Sequence, residues 1–465
     1  MSSNTTPATD LSFGSNLGGV NYSPTGHADV KYTTIKANGT LTVASNADTP
    51  DTNIVTVGAY GTLTENVVFL KLDFTAARED IDIRTIELDR LWGTVAYDDA
   101  FSAVSLWDGA TQLSSDRKWE NKGYDHSSTT FAFTSAEYWR IPKGETKTLT
   151  VKADLRGVKT TDNIGTLTGQ TPKICLITGE GSDYAWNGNL KVDAIGKDSG
   201  VTIHAASSTD ICGNEQIFHQ SKPTIAAASL PDSVLGVKTA TLFRWTVTAD
   251  DKGAIGWKKV IFDVSGTIQV GTDYCSVGKG GTTSTNGIYM GTSSDVQTNV
   301  VTQALVATSS MHVYNVGTGV EINPTTTDSG FFVWNYTDGG ARVGFVAKNE
   351  QIVPAGTTKT YDLKGDIKYS GKAGDSLSFK IEKRSTATCT DSFNTSTDPT
   401  LLTSTTDTGA AWTLGDSWMN VTSTAPTFVW TDRSGAGSTH SLGTEDWTID
   451  YKVPGLPTAT LSLSR

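Results

Sequence analysis

Apolar and polar residues alternate with a period of two along much of this chain, in short runs broken by Gly, Asp, Asn and Pro. That pattern predicts half-buried β-strands joined by turns. The clearest run is Ile81-Asp82-Ile83-Arg84-Thr85-Ile86-Glu87-Leu88. Ile81 and Ile83 share a face, and Ile86 and Leu88 regain it only if one residue is inserted between the pairs. A β-bulge is expected there. No long stretch carries the 3.6-residue period of an amphipathic helix.

Two parts of the chain repeat each other. Pro142-Lys143-Gly144-Glu145-Thr146-Lys147-Thr148-Leu149-Thr150-Val151-Lys152-Ala153-Asp154 matches Pro354-Ala355-Gly356-Thr357-Thr358-Lys359-Thr360-Tyr361-Asp362-Leu363-Lys364-Gly365-Asp366. Both read as a Pro-x-Gly turn feeding a strand, with Leu149 and Val151, or Tyr361 and Leu363, on the buried face. Upstream, Phe69-Leu70-Lys71-Leu72-Asp73-Phe74 compares with Leu242-Phe243-Arg244-Trp245-Thr246-Val247. An acidic loop follows each, and then a second strand, set at Ile81 in one copy and at Trp257 in the other.

The repeat divides the chain. Residues 36–205 and 222–465 form two related modules, 206–221 a turn-rich linker, and 1–35 an N-terminal arm outside both. Many short strands with polar turns predict an all-β protein of tandem antiparallel β-sandwiches, immunoglobulin-like in architecture. A length of 465 residues accommodates two or three domains of that size.

Composition narrows the function. A net charge of -12 sets the surface against phosphate backbones, so nucleic acid is not an expected partner. No apolar run is long enough to span a membrane as a helix. The start, Met1-Ser2-Ser3-Asn4, lacks the charged and apolar regions of a signal peptide, so secretion would imply that a leader has been removed. Cys175, Cys212, Cys275 and Cys389 contain no Cys-x-x-Cys. The set fits one or two disulfides, and it also fits four buried thiols. In an oxidising compartment the expected pairs are Cys175–Cys212 and Cys275–Cys389, each staying with one repeat.

The apparent catalytic motifs have simpler explanations. Gly374-Asp375-Ser376-Leu377 spells the nucleophile block of an esterase family, but it runs into the alternating strand Ser378-Phe379-Lys380-Ile381 instead of a helix. No Asp-x-x-His follows it; His440 stands alone. The six histidines never fall at metal-ligand spacing. No catalytic residue and no cofactor is expected, calcium excepted. Its best candidate ligands are Asn46, Asp48, Asp51 and Asn53, clustered oxygens in one loop. A polar hairpin held by Asx turns explains the same residues and is the favoured reading. The 12 Trp residues raise carbohydrate binding, against which Trp245 and Trp430 fall at core positions of strands.

The C-terminal stretch Thr427-Phe428-Val429-Trp430-Thr431-Asp432-Arg433-Ser434, with His440-Ser441, Glu445-Asp446-Trp447-Thr448 and Gly455-Leu456-Pro457, resembles the ends of large surface proteins of candidate phyla radiation bacteria. Those proteins combine such ends with sandwich modules. The resemblance implies an extracellular, cell-surface location and carries no catalytic residues. The expectation is a non-enzymatic, self-assembling subunit of a surface layer or extracellular filament, partnered head-to-tail with itself. The alternative is an adhesin that binds cell-envelope glycans.

Overall fold

The computed structural model describes residues 38–91, 100–121, 126–158, 168–178, 188–270, 273–277, 287–291, 304–324, 331–335, 340–369, 371–386, 426–435, 440 and 446–465. The strand candidates of the N-terminal arm, and Cys389, lie outside these residues. From Asn38 onward the chain forms one compact unit containing two antiparallel β-sandwiches. The protein is all-β, as its alternation requires.

In the first sandwich, one sheet runs in the order Thr40–Ser45, Leu63–Ala77, Thr146–Arg156, Phe101–Asp108, Thr111–Gln112. The facing sheet is built on Ile81–Leu91, flanked by Asn189–Gly196 with Thr202–Ala206 and by Lys173–Leu176 with Ile211–Cys212. Leu72, Phe74, Leu149, Val151, Ile81, Ile83, Ile86 and Leu88 meet in one core. The expected bulge is present: Thr85 pairs with Asp193 and Ile83 with Ala194, leaving Arg84 extra. Arg84 uses that position to reach the Asp193 carboxylate at 2.8 Å.

The second sandwich repeats the first in register. Leu72 opposes Leu149 and Thr75 opposes Thr146; Trp245 opposes Tyr361 and Thr248 opposes Thr358. Even the exposed hydroxyl pairs recur, Thr75 with Thr146 at 2.7 Å and Thr248 with Thr358 at 2.8 Å. On the next strand, Ile81 opposes Ile141 whereas Ile255 opposes Val353. The counterpart of Ile81 is therefore Ile255, two residues before the Trp257 suggested by sequence comparison. The acidic loop between the strands differs in length by one residue, and a flat alternating pattern shows no register of its own.

Two devices close the first sandwich. Glu79 is almost fully buried and accepts from Gly39 N, Asp198 N, Ser199 N and Ser199 Oγ. Burial alone would raise its pKa, but the Ser199 hydroxyl and the three backbone donors bring it down to about 2. The carboxylate thus fastens the beginning of Thr40–Ser45 to the hairpin at 196–200. The second device is covalent. Cys175 and Cys212 are direct cross-strand partners and are joined by a disulfide. Gly213 follows because any Cβ there would lie 2.2 Å from the Phe69 carbonyl oxygen. Cys275 is buried in the second core.

Replacing both Cys175 and Cys212 by Ala should cost about 2–5 kcal/mol in urea unfolding, and mass spectrometry of unreduced protein should show the 175–212 linked peptide.

Candidate functional site: the joint between the sandwiches

The stretch 206–221, expected as a linker, is structural. Ile211–Cys212 joins the first sandwich, and Ile217–His219 pairs in parallel with Ile54–Thr56. This short ribbon lies between the two cores, and its period of two serves both. Ile54 and Ile217 pack into the second core, whereas Val57 and Phe218 pack into the first. Ile217–His219 is buried on both faces, whereas Val55 and Thr56 beside it are half-buried. Backbone bonds lengthen the ribbon: Ile217 N to Asn53 O, Val57 N to His219 O and Gly58 N to Gln220 O. Two lysines from the second module complete it, Lys222 Nζ reaching Ile54 O at 2.9 Å and Lys252 Nζ reaching Thr56 O at 2.6 Å.

The calcium candidates lie beside this ribbon and are divided between two tasks. Asn46 Oδ1 accepts from Asp48 N, an Asx turn, while its amide donates to Asp73. Asp48 faces Lys71 at 3.7 Å. At the other end, Asp51 O accepts from Gln216 Nε2 and the Asn53 side chain accepts from Ile54 N. The loop thereby stitches 50–53 to 214–217. Among the described residues, no group of three or more His, Cys, Asp or Glu is arranged around a common ion position.

The C-terminal motif supplies the polar centre of the joint. Phe428–Thr431 adds to Ile255–Val270 with every residue buried. Asp432 then turns the chain, with Ser434 N and Oγ donating to its Oδ1. Its Oδ2 accepts from Thr168 Oγ1 at 2.6 Å and Gln220 N at 2.7 Å. One fully buried carboxylate therefore takes hydrogen bonds from the first module, the linker and its own turn. Because Thr168 Oγ1 gives its proton to Asp432, it accepts from His219, 2.7 Å away, which fixes the His219 proton on Nδ1. The His219 ring packs on Trp430 at 5.0 Å between centroids.

A second polar node adjoins the first. His440 Nδ1 lies 2.7 Å from Asp446 Oδ2 and Nε2 lies 3.0 Å from Glu350 Oε2. Glu350 also faces the Arg433 guanidinium. Burial works against charge on His440, but the hydrogen bonds and fields of Asp446 and Glu350 prevail and raise its pKa to about 9. Glu350 finds room only because position 256 is Gly; a Cβ there would sit 1.7 Å from its Oε1. Asp446 also accepts from Thr431 Oγ1 and Gly435 N, so this node holds the strand and the turn together.

The esterase-like block behaves as a turn. Asp375 is buried, accepting from Gln269 N and Lys372 N, and Ser376 opens the strand Ser376–Lys380. Trp245 and Trp430 are fully buried. The joint itself was invisible in single-sequence reasoning, since His219, Thr168 and Asp432 are widely separated. The compact Thr431-Asp432-Arg433-Ser434 turn with His440 and Asp446 was its one local signal.

No protein-family profile and no curated protein matches the chain. Among solved structures it is similar to the C-terminal domain of the AgI/II polypeptide BspA of Streptococcus agalactiae. That match has 9% identity over 74% of this chain and 95% of the domain, with a TM-score of 0.17. It is also similar to the T6 backbone pilin of serotype M6 Streptococcus pyogenes, at 10% identity over 75% of this chain and 59% of the pilin, with a TM-score of 0.15. Likenesses this slight carry no conclusion about role.

The raised His440 pKa gives a pH dependence of defined sign. The stabilisation is fully present below the ordinary imidazole pKa, 6.5, and is lost as pH climbs through about 9. Urea unfolding of wild type and His440→Gln should differ by about 1–3 kcal/mol at pH 6, and the gap should close by about pH 10. Gly256→Ala should cost about 1–3 kcal/mol by expelling Glu350. That cost should shrink in an Glu350→Ser background, as a double-mutant cycle would show.

Proposed function

We propose that this chain is a secreted structural protein of a bacterial cell surface, self-assembling into a surface layer or extracellular filament and having no catalytic role. The observation that carries this reading is the joint. The buried acid Asp432, with Thr168, His219 and Gln220, is spent on fusing two sandwiches. A protein whose buried polar groups brace the connection between its modules is suited to bearing load across that connection.

Assembly requires surfaces that pair. The strand Thr202–Ala206 lies at a sheet margin, and among the described residues it pairs only with Asn189–Gly196. Its Thr202, His204 and Ala206 face solvent. Such an edge accepts an added strand. The N-terminal arm, residues 1–35, is the donor in this proposal, pairing with an edge of a neighbouring copy. Donor and acceptor differ, so the contact is head-to-tail and propagates without closing.

Electron microscopy of the intact chain should show ordered sheets or fibres, and deletion of residues 1–30 should leave folded monomers. Assembly of the truncated protein at the wild-type level would remove the arm from the account. A dispersed monomer that binds a glycan array would favour the adhesin instead.

A further inference from the structure

Each sandwich carries a parallel ribbon at one end. In the first it is Ile54–Thr56 with Ile217–His219. In the second, Val234 bridges Ser464, again in parallel. Each ribbon precedes the corresponding long strand, Leu63–Ala77 or Lys238–Ala249. Hydrogen bonds fix the correspondence: Val57 N donates to His219 O, as Leu235 N donates to Ser464 O. Val57 and Phe218 face the first core, Leu235 and Leu463 the second, and all four are fully buried. By alternation, Thr56 and His219 are the outward pair of one ribbon, and Val234 and Ser464 of the other.

The two outward faces meet different surroundings. Against the first lies the second sandwich. Thr56 Oγ1 donates to Asp250 Oδ2 at 3.3 Å, Lys252 Nζ reaches Thr56 O at 2.6 Å, and the Trp430 ring packs on His219. The outward face of the second ribbon points to solvent. Val234 is 55% exposed, Ser464 is exposed, and Val237 beside them is 63% exposed. An apolar side chain stands in water at the position where the first ribbon meets its cover, and covering it is favourable.

The cover of the first ribbon identifies what fits the second. Asp250 and Lys252 belong to the loop that follows the long strand of a sandwich. The first sandwich presents the matching loop, Arg78–Asp80, between Leu63–Ala77 and Ile81–Leu91. Arg78 is exposed, as is Lys143, whose amide donates to Asp80. Val201, at the hairpin held by Glu79, is 38% exposed. That end offers cations to ribbon carbonyls, as Lys252 does in the joint, and an apolar partner to Val234. Building on the self-assembly put forward above, we propose that the outward face at Val234 docks the Arg78–Asp80 end of the first sandwich of a second copy. The contact between copies then repeats the joint within each copy, and being heterologous it propagates.

Paired cysteines in the full chain test this. Arg78→Cys with Val234→Cys, oxidised mildly after assembly, should give a ladder of disulfide-linked multimers on non-reducing gels. Either single variant should stop at dimers. Val234→Arg should lower the assembled fraction in sedimentation by about tenfold or more, because docking would bury a charge. Its melting temperature should match wild type, since the residue is exposed within one copy. Double-cysteine protein that assembles without a ladder, or Val234→Arg that assembles like wild type, overturns this docking and leaves self-assembly standing. Wild-type protein that stays monomeric at every concentration overturns both.

Discussion

The architecture depends on one buried carboxylate. Asp432 has no access to water and answers that loss with donors from Thr168, Gln220 and Ser434. An ionised group shut away from solvent is tolerated only when its lone pairs are met. Each donor comes from a different stretch of chain, so satisfying Asp432 requires the first sandwich, the connecting segment and the C-terminal turn to arrive together. The ribbon of Ile54–Thr56 with Ile217–His219 supplies the apolar half of the same requirement, feeding alternate side chains to two cores. Hydrophobic burial gives the joint its strength, and the carboxylate gives it a unique geometry.

The two sandwiches illustrate how far a register can outlast its side chains. Leu72 and Leu149 in one core become Trp245 and Tyr361 in the other without a change of pairing. Sheet register follows the alternation of buried and exposed positions and the turn that precedes the strand, both of which the repeat preserves. Core identity is free to drift as long as volume is compensated. The second core took that freedom in the direction of aromatic rings.

Local features of the fold were legible because their causes are local. The alternation around Ile81–Leu88 announced both a strand and its bulge, and the Pro-x-Gly turns at Pro142 and Pro354 located the repeated strands. Trp245 and Trp430 were recognisable as core residues from their neighbours. The joint was not legible, for the same physical reason. Thr168 and Asp432 are 264 residues apart, and a lone Thr, His or Asp carries no periodicity that betrays a distant partner. Asn46, Asp48, Asp51 and Asn53 read equally as turn residues and as ligands, because oxygen-rich loops serve turns and ions alike. Only the contacts of Gln216 and Asn214 reveal that half of this loop belongs to the connection.

The separation between Thr168 and Asp432 also bears on the order of events during synthesis. Closing a contact across so long a span carries a loop entropy that nearer pairings do not. The first sandwich has its own core and its own disulfide, all from residues before 220, and can organise as soon as that segment has emerged. Asp432, just past the strand Phe428–Thr431, arrives long after the first sandwich is complete. Until the residues from Ile225 onward emerge, the face of Ile54 and Ile217 that belongs to the second core lacks its covering side chains. The growing chain therefore carries an exposed apolar ribbon between completion of the first sandwich and assembly of the second core, and that interval is the one in which premature association with other chains is most costly.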